Sequence, residues 1–496
     1  MLRNSAVEKV SRFLESMERK EIYFRVDTYI NFLKLLVYGN AVDAYSVELP
    51  KQFEIGLFPL DSRDFKTEGA KLYFLRWTSL LTIETMEEAK TFKKMAVSSN
   101  DITRADAFSE SKMARWLNIQ AERQMFCPQD GIALSPSHRE DKDPLFQPKY
   151  FAECVQSRRT GLMILVNLIC KVSSDPEELT NGDVPNISHW RVDRFINLVS
   201  FRRMLVALKS ICARPSTTVV ETCPIASVIS PEFQDLKLII DIKADDNAQL
   251  TGENAAASVP DAQTSGVPNT SAKREGVPIG GSCKRQEVNF QRPKSENRPG
   301  NKSQIEAIDA AMHDGVAIIQ GPPGTGKTFT AAEIIRIWLE NWDSRPILAC
   351  AETNEGVNNL IMKVLKLSCV SPDDMVRIGN VSKVTEEMKR ITLEEKYFAN
   401  GHKMHDMQMD YTIVKDIIHR AKIVFSTCIG AGTNYMTEQY FPHVLLDEAS
   451  QATEPAAMVP LQYGCQRLCL VGDDKQLPPL VKSSNADQLE VSIFER

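Results

Sequence analysis

The chain has 496 residues, of which 43% are hydrophobic and 25% are charged. This length corresponds to about three domains, and the composition excludes a fibrous or wholly disordered protein. The 59 Lys and Arg against 65 Asp and Glu give a formal net charge of −6, so any nucleic-acid binding must depend on a local basic surface. No apolar run approaches the roughly 20 residues of a membrane span, and the N-terminus does not read as a signal peptide. We therefore expect a cytoplasmic or nuclear protein without a membrane partner.

The first 300 residues combine helices, a β-rich region and a linker. Residues 72–95 and residues 201–211 have amphipathic patterns that predict helices. Between residues 128 and 193, turn-rich pieces alternate with short apolar runs, which favours a small β-rich or irregular domain. Residues 245–289 contain no aromatic residue and are dominated by small and polar residues, a composition typical of a flexible linker.

A phosphate-binding pattern follows the linker. Residues 316–320 predict a buried strand, residues 329–339 predict a helix, and between them stands a complete G-x-x-x-x-G-K-[ST] motif. Glycines let backbone N–H groups approach phosphates, Lys327 reaches the β- and γ-phosphates, and the Thr328 hydroxyl ligates Mg²⁺. The motif predicts a nucleotide site formed by Gly321, Pro322, Pro323, Gly324, Thr325, Gly326, Lys327 and Thr328.

Four further apolar runs predict strands, and each is followed by polar residues. The runs are 347–351, 423–426, 443–446 and 467–471. Because ligands of an open parallel sheet lie beyond the carboxyl ends of the strands, these polar residues should meet at one cleft. Asp447 is placed to anchor Mg²⁺, and Glu448 is placed to accept a proton from the attacking water. The alternative is that both carboxylates only cap the next helix.

Three motifs, in this order, resemble the first motor lobe of superfamily 1 helicases: GPPGTGKT, LLDEASQATEP and LVGDDKQLPPLV. The resemblance covers about residues 301–496 and is to class B, the group that includes the helicases of nonsense-mediated decay and RNA silencing. It implies an α/β P-loop NTPase with a RecA-like parallel sheet and ATP as the nucleotide. It also implies that Gln304 contacts the adenine and that Gln476 senses the γ-phosphate. Gln476 then joins Lys327 and Glu448 as a catalytic residue.

Two shorter stretches resemble the elements with which this family contacts nucleic acid. AETN through NNL is similar to the strand-tracking motif, and STC is similar to a third contacting element. The resemblance therefore implies that Thr353, Asn354 and Thr427 bind nucleic acid. Two residues depart from the family pattern, since Asn358 stands where Asp is usual and Asp474 stands where Pro is usual.

The first half of the chain resembles the accessory region of these helicases less closely. The two predicted helices are similar to the arms of a stalk that frames a β-barrel, which implies five segments. In chain order they are a helical, stalk-like region at 1–115, a divergent β-barrel at 116–195, a second stalk-like helix at 196–244, the linker at 245–300, and the motor lobe at 301–496 with a helical insertion at about 383–422.

The resemblance implies an ATP-dependent helicase or translocase that acts on single-stranded or duplex RNA, with DNA as the alternative substrate. Superfamily 1 motors hydrolyse ATP between two lobes, and only the first is recognisable here. We therefore expect a second RecA-like lobe, in a longer protein or on another chain. A non-motor ATP-binding switch or scaffold in an RNA-processing complex stays open as a different class of function. A small-molecule kinase is disfavoured by the DEAS and GDDKQLPP clusters.

Overall fold

A computed structural model describes most of the second half of the chain and the main elements of the first half. The described residues are 26, 29, 30, 33, 37, 60–98, 103–110, 114–119, 130–137, 150–158, 163–171, 189–214, 239–241, 300–313, 315–341, 346–379, 384–401 and 409–496. The predicted linker at 245–289 lies outside them.

Six antiparallel strands form a closed barrel in the first half of the chain. They are β1 (Thr103–Glu110), β2 (Ala114–Ile119), β3 (Asp130–Pro136), β4 (Tyr150–Arg158), β5 (Met163–Lys171) and β6 (His189–Asn197). The order around the barrel is β1-β2-β5-β4-β3-β6, and pairing between β6 and β1 closes it. Buried apolar side chains, among them Leu117, Ile132 and Val192, form its core.

The barrel begins earlier than the sequence predicts. All of β1 lies within residues 1–115, which we assign to the helical region, so the predicted limit at residue 116 is wrong. β1 contains mainly Ala, Asp, Ser and Glu, which are residue types with low strand propensity. The extended conformation of β1 is stabilised instead by its backbone hydrogen bonds to β2 on one side and β6 on the other.

Two helices flank the barrel in the chain. They are α1 (Glu68–Ser98) and α2 (Val199–Cys212), and they confirm the two predicted helices with slightly wider limits. Trp77 of α1 and Leu205 of α2 are buried in the same hydrophobic core as Leu446 of the second half of the chain. The accessory region and the lobe that follows it therefore pack as one body rather than being joined only by chain.

Seven parallel strands form the sheet of the lobe. They are β7 (Ile239–Asp241), β8 (Val316–Gln320), β9 (Ile347–Ala351), β10 (Met375–Arg377), β11 (Ile423–Thr427), β12 (His443–Asp447) and β13 (Arg467–Gly472). Their order is β10-β11-β9-β12-β13-β8-β7. The five predicted strands and the α/β, RecA-like fold class are confirmed. The edge strands β7 and β10 are missing from the prediction because three residues are too few for a periodic pattern. β7 also moves residues 239–241 from the predicted stalk-like segment at 196–244 into the lobe.

Seven α-helices belong to the described part of the lobe. They are α3 (Lys302–His313), α4 (Lys327–Asn341), α5 (Asn354–Leu367), α6 (Glu386–Lys389), α7 (Leu393–Ala399), α8 (Tyr411–Arg420) and α9 (Glu454–Leu461). Successive residues of a strand point to opposite faces, so Leu445 packs in one core with α3, α4 and α5, whereas Leu446 packs in the core shared with α1 and α2. The short helices α6, α7 and α8 occupy the predicted insertion.

Side chains of the accessory helices bind the backbone of the lobe. The two carboxylate oxygens of Glu84 in α1 accept hydrogen bonds from the backbone N–H groups of Lys482 and Ser483, each at 2.8 Å. Nη1 of Arg203 in α2 donates to the carbonyl oxygen of Ile429 at 3.0 Å. These bonds attach α1 to the segment that follows β13, and α2 to the segment that follows β11.

Among the helices of the described residues, none is both long enough and apolar enough to span a membrane.

Candidate nucleotide site

The phosphate loop connects β8 to α4 at the carboxyl end of the sheet. Gly324 and Gly326 have φ angles of 81° and 83°, a left-handed backbone that glycine adopts without steric cost. The Thr325 hydroxyl donates a hydrogen bond to the Pro322 carbonyl at 2.8 Å, which stabilises the turn of the loop. α4 begins at Lys327, so the loop ends at a helix N-terminus, where backbone N–H groups attract anions.

Gln304 of α3 is held against this loop. Its Nε2 donates to the Thr325 carbonyl at 2.9 Å, and its Oε1 accepts from the Asn301 backbone N–H at 2.9 Å. Both ends of the carboxamide are therefore engaged within the protein. The structure brings Gln304 to the nucleotide loop, and its contact with an adenine stays a prediction.

Gly326→Ala should lower the free energy of unfolding by about 1–2 kcal/mol, because an alanine would have to adopt a left-handed backbone there. It should also weaken nucleotide binding, because the added Cβ would lie 2.7 Å from Nε2 of Gln304. Gly324→Ala is the matched control, since its φ is almost the same and no atom lies within 4 Å of the added Cβ. Denaturant unfolding and a nucleotide titration of both variants would measure the difference. Equal effects of the two substitutions would contradict a role for the Gln304 contact.

Lys327 and Thr328 lie where the motif predicts. Lys327 is 8% exposed, and its ammonium donates a hydrogen bond to the Gly321 carbonyl at 2.8 Å, which holds it within the loop. The Thr328 hydroxyl lies near the carboxylate of Asp447, at the end of β12, and lowers its pKa. The predicted metal residues Thr328 and Asp447 are therefore neighbours.

The Asp447 carboxylate is almost fully buried and accepts a hydrogen bond from the backbone N–H of Glu448 at 3.0 Å. Burial, and then the neighbouring Glu448 carboxylate, raise the pKa of Asp447 to about 7, and the Thr328 hydroxyl opposes this rise. A divalent cation beside such a group favours its charged form. The role of Asp447 as a metal ligand stays a prediction.

Glu448 has a left-handed backbone, with φ of 53°, which is uncommon and unfavourable for a residue with a side chain. Such strain is often found at functional sites. Its side chain makes no helix-capping hydrogen bond, and its Oε2 accepts only a long 3.3 Å bond from Gln451. α9 is capped instead by Thr453, whose hydroxyl accepts from the Ala456 N–H. Thr453 rather than Asp447 or Glu448 therefore caps α9, and the catalytic and metal roles of the two carboxylates stay predictions.

The end of β13 completes the cleft. The Gly321 N–H donates to the Gly472 carbonyl at 3.2 Å, so the phosphate loop and β13 are joined directly. The carboxamide of Gln476 hydrogen-bonds the Asp473 carboxylate, which orients the predicted γ-phosphate sensor. Asp474, which departs from the family pattern, accepts a hydrogen bond from Gln320 at the end of β8.

The three predicted nucleic-acid residues lie at the carboxyl ends of neighbouring strands, since β9 and β11 pair up to Ala351 and Thr427. The Thr353 hydroxyl caps α5 by accepting from the Gly356 N–H at 3.0 Å. The Thr427 hydroxyl accepts from the Gly430 N–H at the same distance. Both threonines therefore form local structural hydrogen bonds and also lie where nucleic-acid binding is predicted.

Two charged residues near the predicted nucleic-acid residues have no role in the site predicted from the sequence. Oε2 of Glu352 is buried without a hydrogen-bond partner, and burial raises the pKa of Glu352 to about 7. Arg377, at the end of β10, is fully buried and binds Asn354 and Asn358. The only signal in the sequence is a charged residue at the end of an apolar run, which is common on surfaces and does not reveal burial.

Comparison with known proteins finds similarity in the second half of the chain. Residues 299–415 and 402–484 match the family described as AAA domain. Over 229 residues, the chain is 33% identical to the Regulator of nonsense transcripts 1 homolog of Neurospora crassa, covering 41% of this chain and 21% of that protein. Over 219 residues it is 32% identical to the ATP-dependent helicase NAM7 of Saccharomyces cerevisiae, covering 40% and 22%.

A third similar protein is the DNA replication ATP-dependent helicase/nuclease DNA2 of Saccharomyces cerevisiae, which is 36% identical over 200 residues, covering 39% of this chain and 12% of that protein. The aligned part of the chain spans about a fifth or less of the length of these three relatives.

Proposed function

We propose that the chain provides the first motor lobe of an ATP-dependent RNA helicase or translocase, because residues 299–484 match the AAA domain family and are similar to proteins named as ATP-dependent helicases. The observation that carries the proposal is the meeting of Lys327, Thr328, Asp447 and Glu448 at the carboxyl ends of β8 and β12. Such a set can hold a nucleoside triphosphate and activate water beside its γ-phosphate.

The residues present fit Mg²⁺ together with ATP. The Thr328 hydroxyl and the Asp447 carboxylate are hard oxygen ligands that lie near each other. Mg²⁺ binds one or two such protein ligands and completes its shell with phosphate oxygens and waters. When bound, it neutralises charge on the β- and γ-phosphates. Lys327 then binds the same phosphates, and Glu448 accepts the proton of the attacking water.

We also propose a nucleic-acid strand and a second motor lobe as partners. Thr353, Asn354 and Thr427 line adjacent strand ends beside the nucleotide cleft. RNA is preferred over DNA because the first of the similar proteins is named for nonsense transcripts, although another is named for DNA replication. Leu477 and Leu480 are 73% and 88% exposed on the segment after Gln476, which gives the cleft edge an apolar surface for the second lobe.

Lys327→Ala should weaken ATP binding by about 10- to 100-fold, because hydrogen bonds to charged groups contribute about 1.5–3 kcal/mol. A titration with fluorescent ATP in the presence of Mg²⁺ would measure this. The matched control is Lys363→Ala, which removes an exposed lysine of α5 away from the loop. Normal ATP affinity of the Lys327 variant would contradict the nucleotide site.

The function itself is tested by ATP hydrolysis with and without single-stranded RNA, on the chain alone and after addition of a separately produced second lobe. We expect slow turnover by the chain alone, because one wall of the cleft leaves the γ-phosphate open to water. Stimulation by the lobe and RNA together supports the motor. ATP binding without hydrolysis under every condition would favour the non-motor switch instead.

A further inference from the structure

The Arg377 guanidinium is 0% exposed and all its acceptors are neutral. Its Nη2 donates to Oδ1 of Asn354 at 2.8 Å, its Nε to Oδ1 of Asn358 at 3.2 Å, and its Nη1 to the Ile378 carbonyl at 2.9 Å. Gly379 packs so closely that a Cβ there would lie 2.3 Å from Nη1. The side chain therefore has one fixed position.

No carboxylate of the described residues forms an ion pair with Arg377. A buried charge without a partner of opposite sign is unfavourable, and burial accordingly lowers the pKa of this guanidinium. Arginine nevertheless stays charged in proteins. The lobe thus contains a buried positive charge directly beneath the first turn of α5.

The bond from Arg377 fixes which way the Asn354 carboxamide is turned. Arginine has only donors, so the oxygen of the carboxamide must face it, and the NH₂ group must face away. Asn354 is half-buried, and within the described part of the chain nothing accepts a hydrogen bond from its NH₂ group. Two N–H donors are therefore presented outward at the carboxyl end of β9.

We propose that Arg377 is a positioning residue for nucleic-acid binding: it turns the Asn354 NH₂ group toward a phosphate oxygen, and its unneutralised charge attracts that phosphate. The inference rests on the proposed function. Phosphate contacts position a strand without reading its sequence, so this contact should be independent of the bases. Asn354 touches the strand, and Arg377 acts through it.

The test compares Asn354→Asp with Asn359→Asp. The first puts a carboxylate against Arg377 but removes both outward donors. The second adds the same charge at an exposed position of α5. We expect Asn354→Asp to raise the melting temperature and to weaken binding of a labelled single-stranded oligouridine by about tenfold or more. Asn359→Asp should weaken binding by less than about threefold.

Asn358→Asp tests the charge separately, since it gives Arg377 a carboxylate and leaves Asn354 intact. It should raise the melting temperature and weaken binding more than Asn359→Asp does, with a smaller dependence of affinity on salt. Fluorescence anisotropy at several salt concentrations, with oligouridine and a mixed sequence, measures all variants.

If Arg377 has only a structural role, the Asn354→Asp and Asn359→Asp variants should bind the oligonucleotide with the same affinity, although only the first should have a raised melting temperature. That result, with normal binding by the unchanged chain, would overturn this inference and leave the proposed function standing. Absence of binding by the unchanged chain would overturn the proposed nucleic-acid partner itself, and this inference with it.

Discussion

Glu448→Gln should leave ATP binding unchanged and lower ATP hydrolysis by about 10²–10⁴-fold, the usual contribution of a general base. Glutamine keeps the size of the side chain and its hydrogen bond to Gln451 but cannot accept a proton. The charge of Glu448 is not needed to cap the next helix, which is capped by Thr453. The Glu448 side chain makes no helix-capping hydrogen bond either.

Hydrolysis by this variant is measured as phosphate release, with the second lobe and RNA present, and ATP binding is measured by titration. Glu438→Gln is the matched control, because Glu438 is also a glutamate with a left-handed backbone, at φ 70°, and it pairs with Lys415 on the surface. It should hydrolyse ATP normally. Loss of ATP binding in the Glu448 variant would give Glu448 a structural role.

Glu352→Gln should stabilise the folded chain above pH 7 by up to about 3 kcal/mol. Burial raises the pKa of this carboxyl from 4.5 to about 7, so the folded chain holds the proton more tightly than the unfolded chain does. Stability is then complete below pH 4.5 and is lost as the pH rises toward 7. A glutamine cannot ionise and avoids this loss.

Denaturant unfolding of both proteins at about pH 5 and about pH 8 would check the result, since the stability difference should be much larger at the higher pH. Glu355→Gln is the matched control, because Glu355 is an exposed carboxylate in the first turn of α5, where substitutions change stability little. A stability difference that is the same at both pH values would contradict the unpaired, buried carboxylate.

The phosphate loop and the five main strands are predictable because each depends on local sequence. Glycines stand where the backbone is left-handed, and apolar runs stand where strands are buried on both faces. The limits of the barrel are not predictable in this way. β1 has few residues that favour a strand, and its pairing with β6 joins segments about 85 residues apart, which no local pattern can reveal.

The candidate site is predictable in its residues more than in its contacts. The sequence identifies Asp447 and Thr328, but only the fold brings the two side chains close together. Glu352 and Arg377 cannot be identified from the sequence, because both look like ordinary charged residues until the fold buries them without a partner of opposite charge among the described residues. Whether a carboxylate or guanidinium has a partner depends on neighbours that are distant in sequence.

The pair of hydrogen bonds from Glu84 to the backbone of Lys482 and Ser483 makes α1 a lever arm. The segment it binds follows Gln476, at the edge of the candidate nucleotide site. The helix continues from Glu84 to Ser98, a distance of about 21 Å, before the barrel begins. A tilt of about 5° at the attachment therefore displaces the barrel end of the helix by about 2 Å. A small movement of the cleft edge would therefore become a larger displacement at the barrel end of α1.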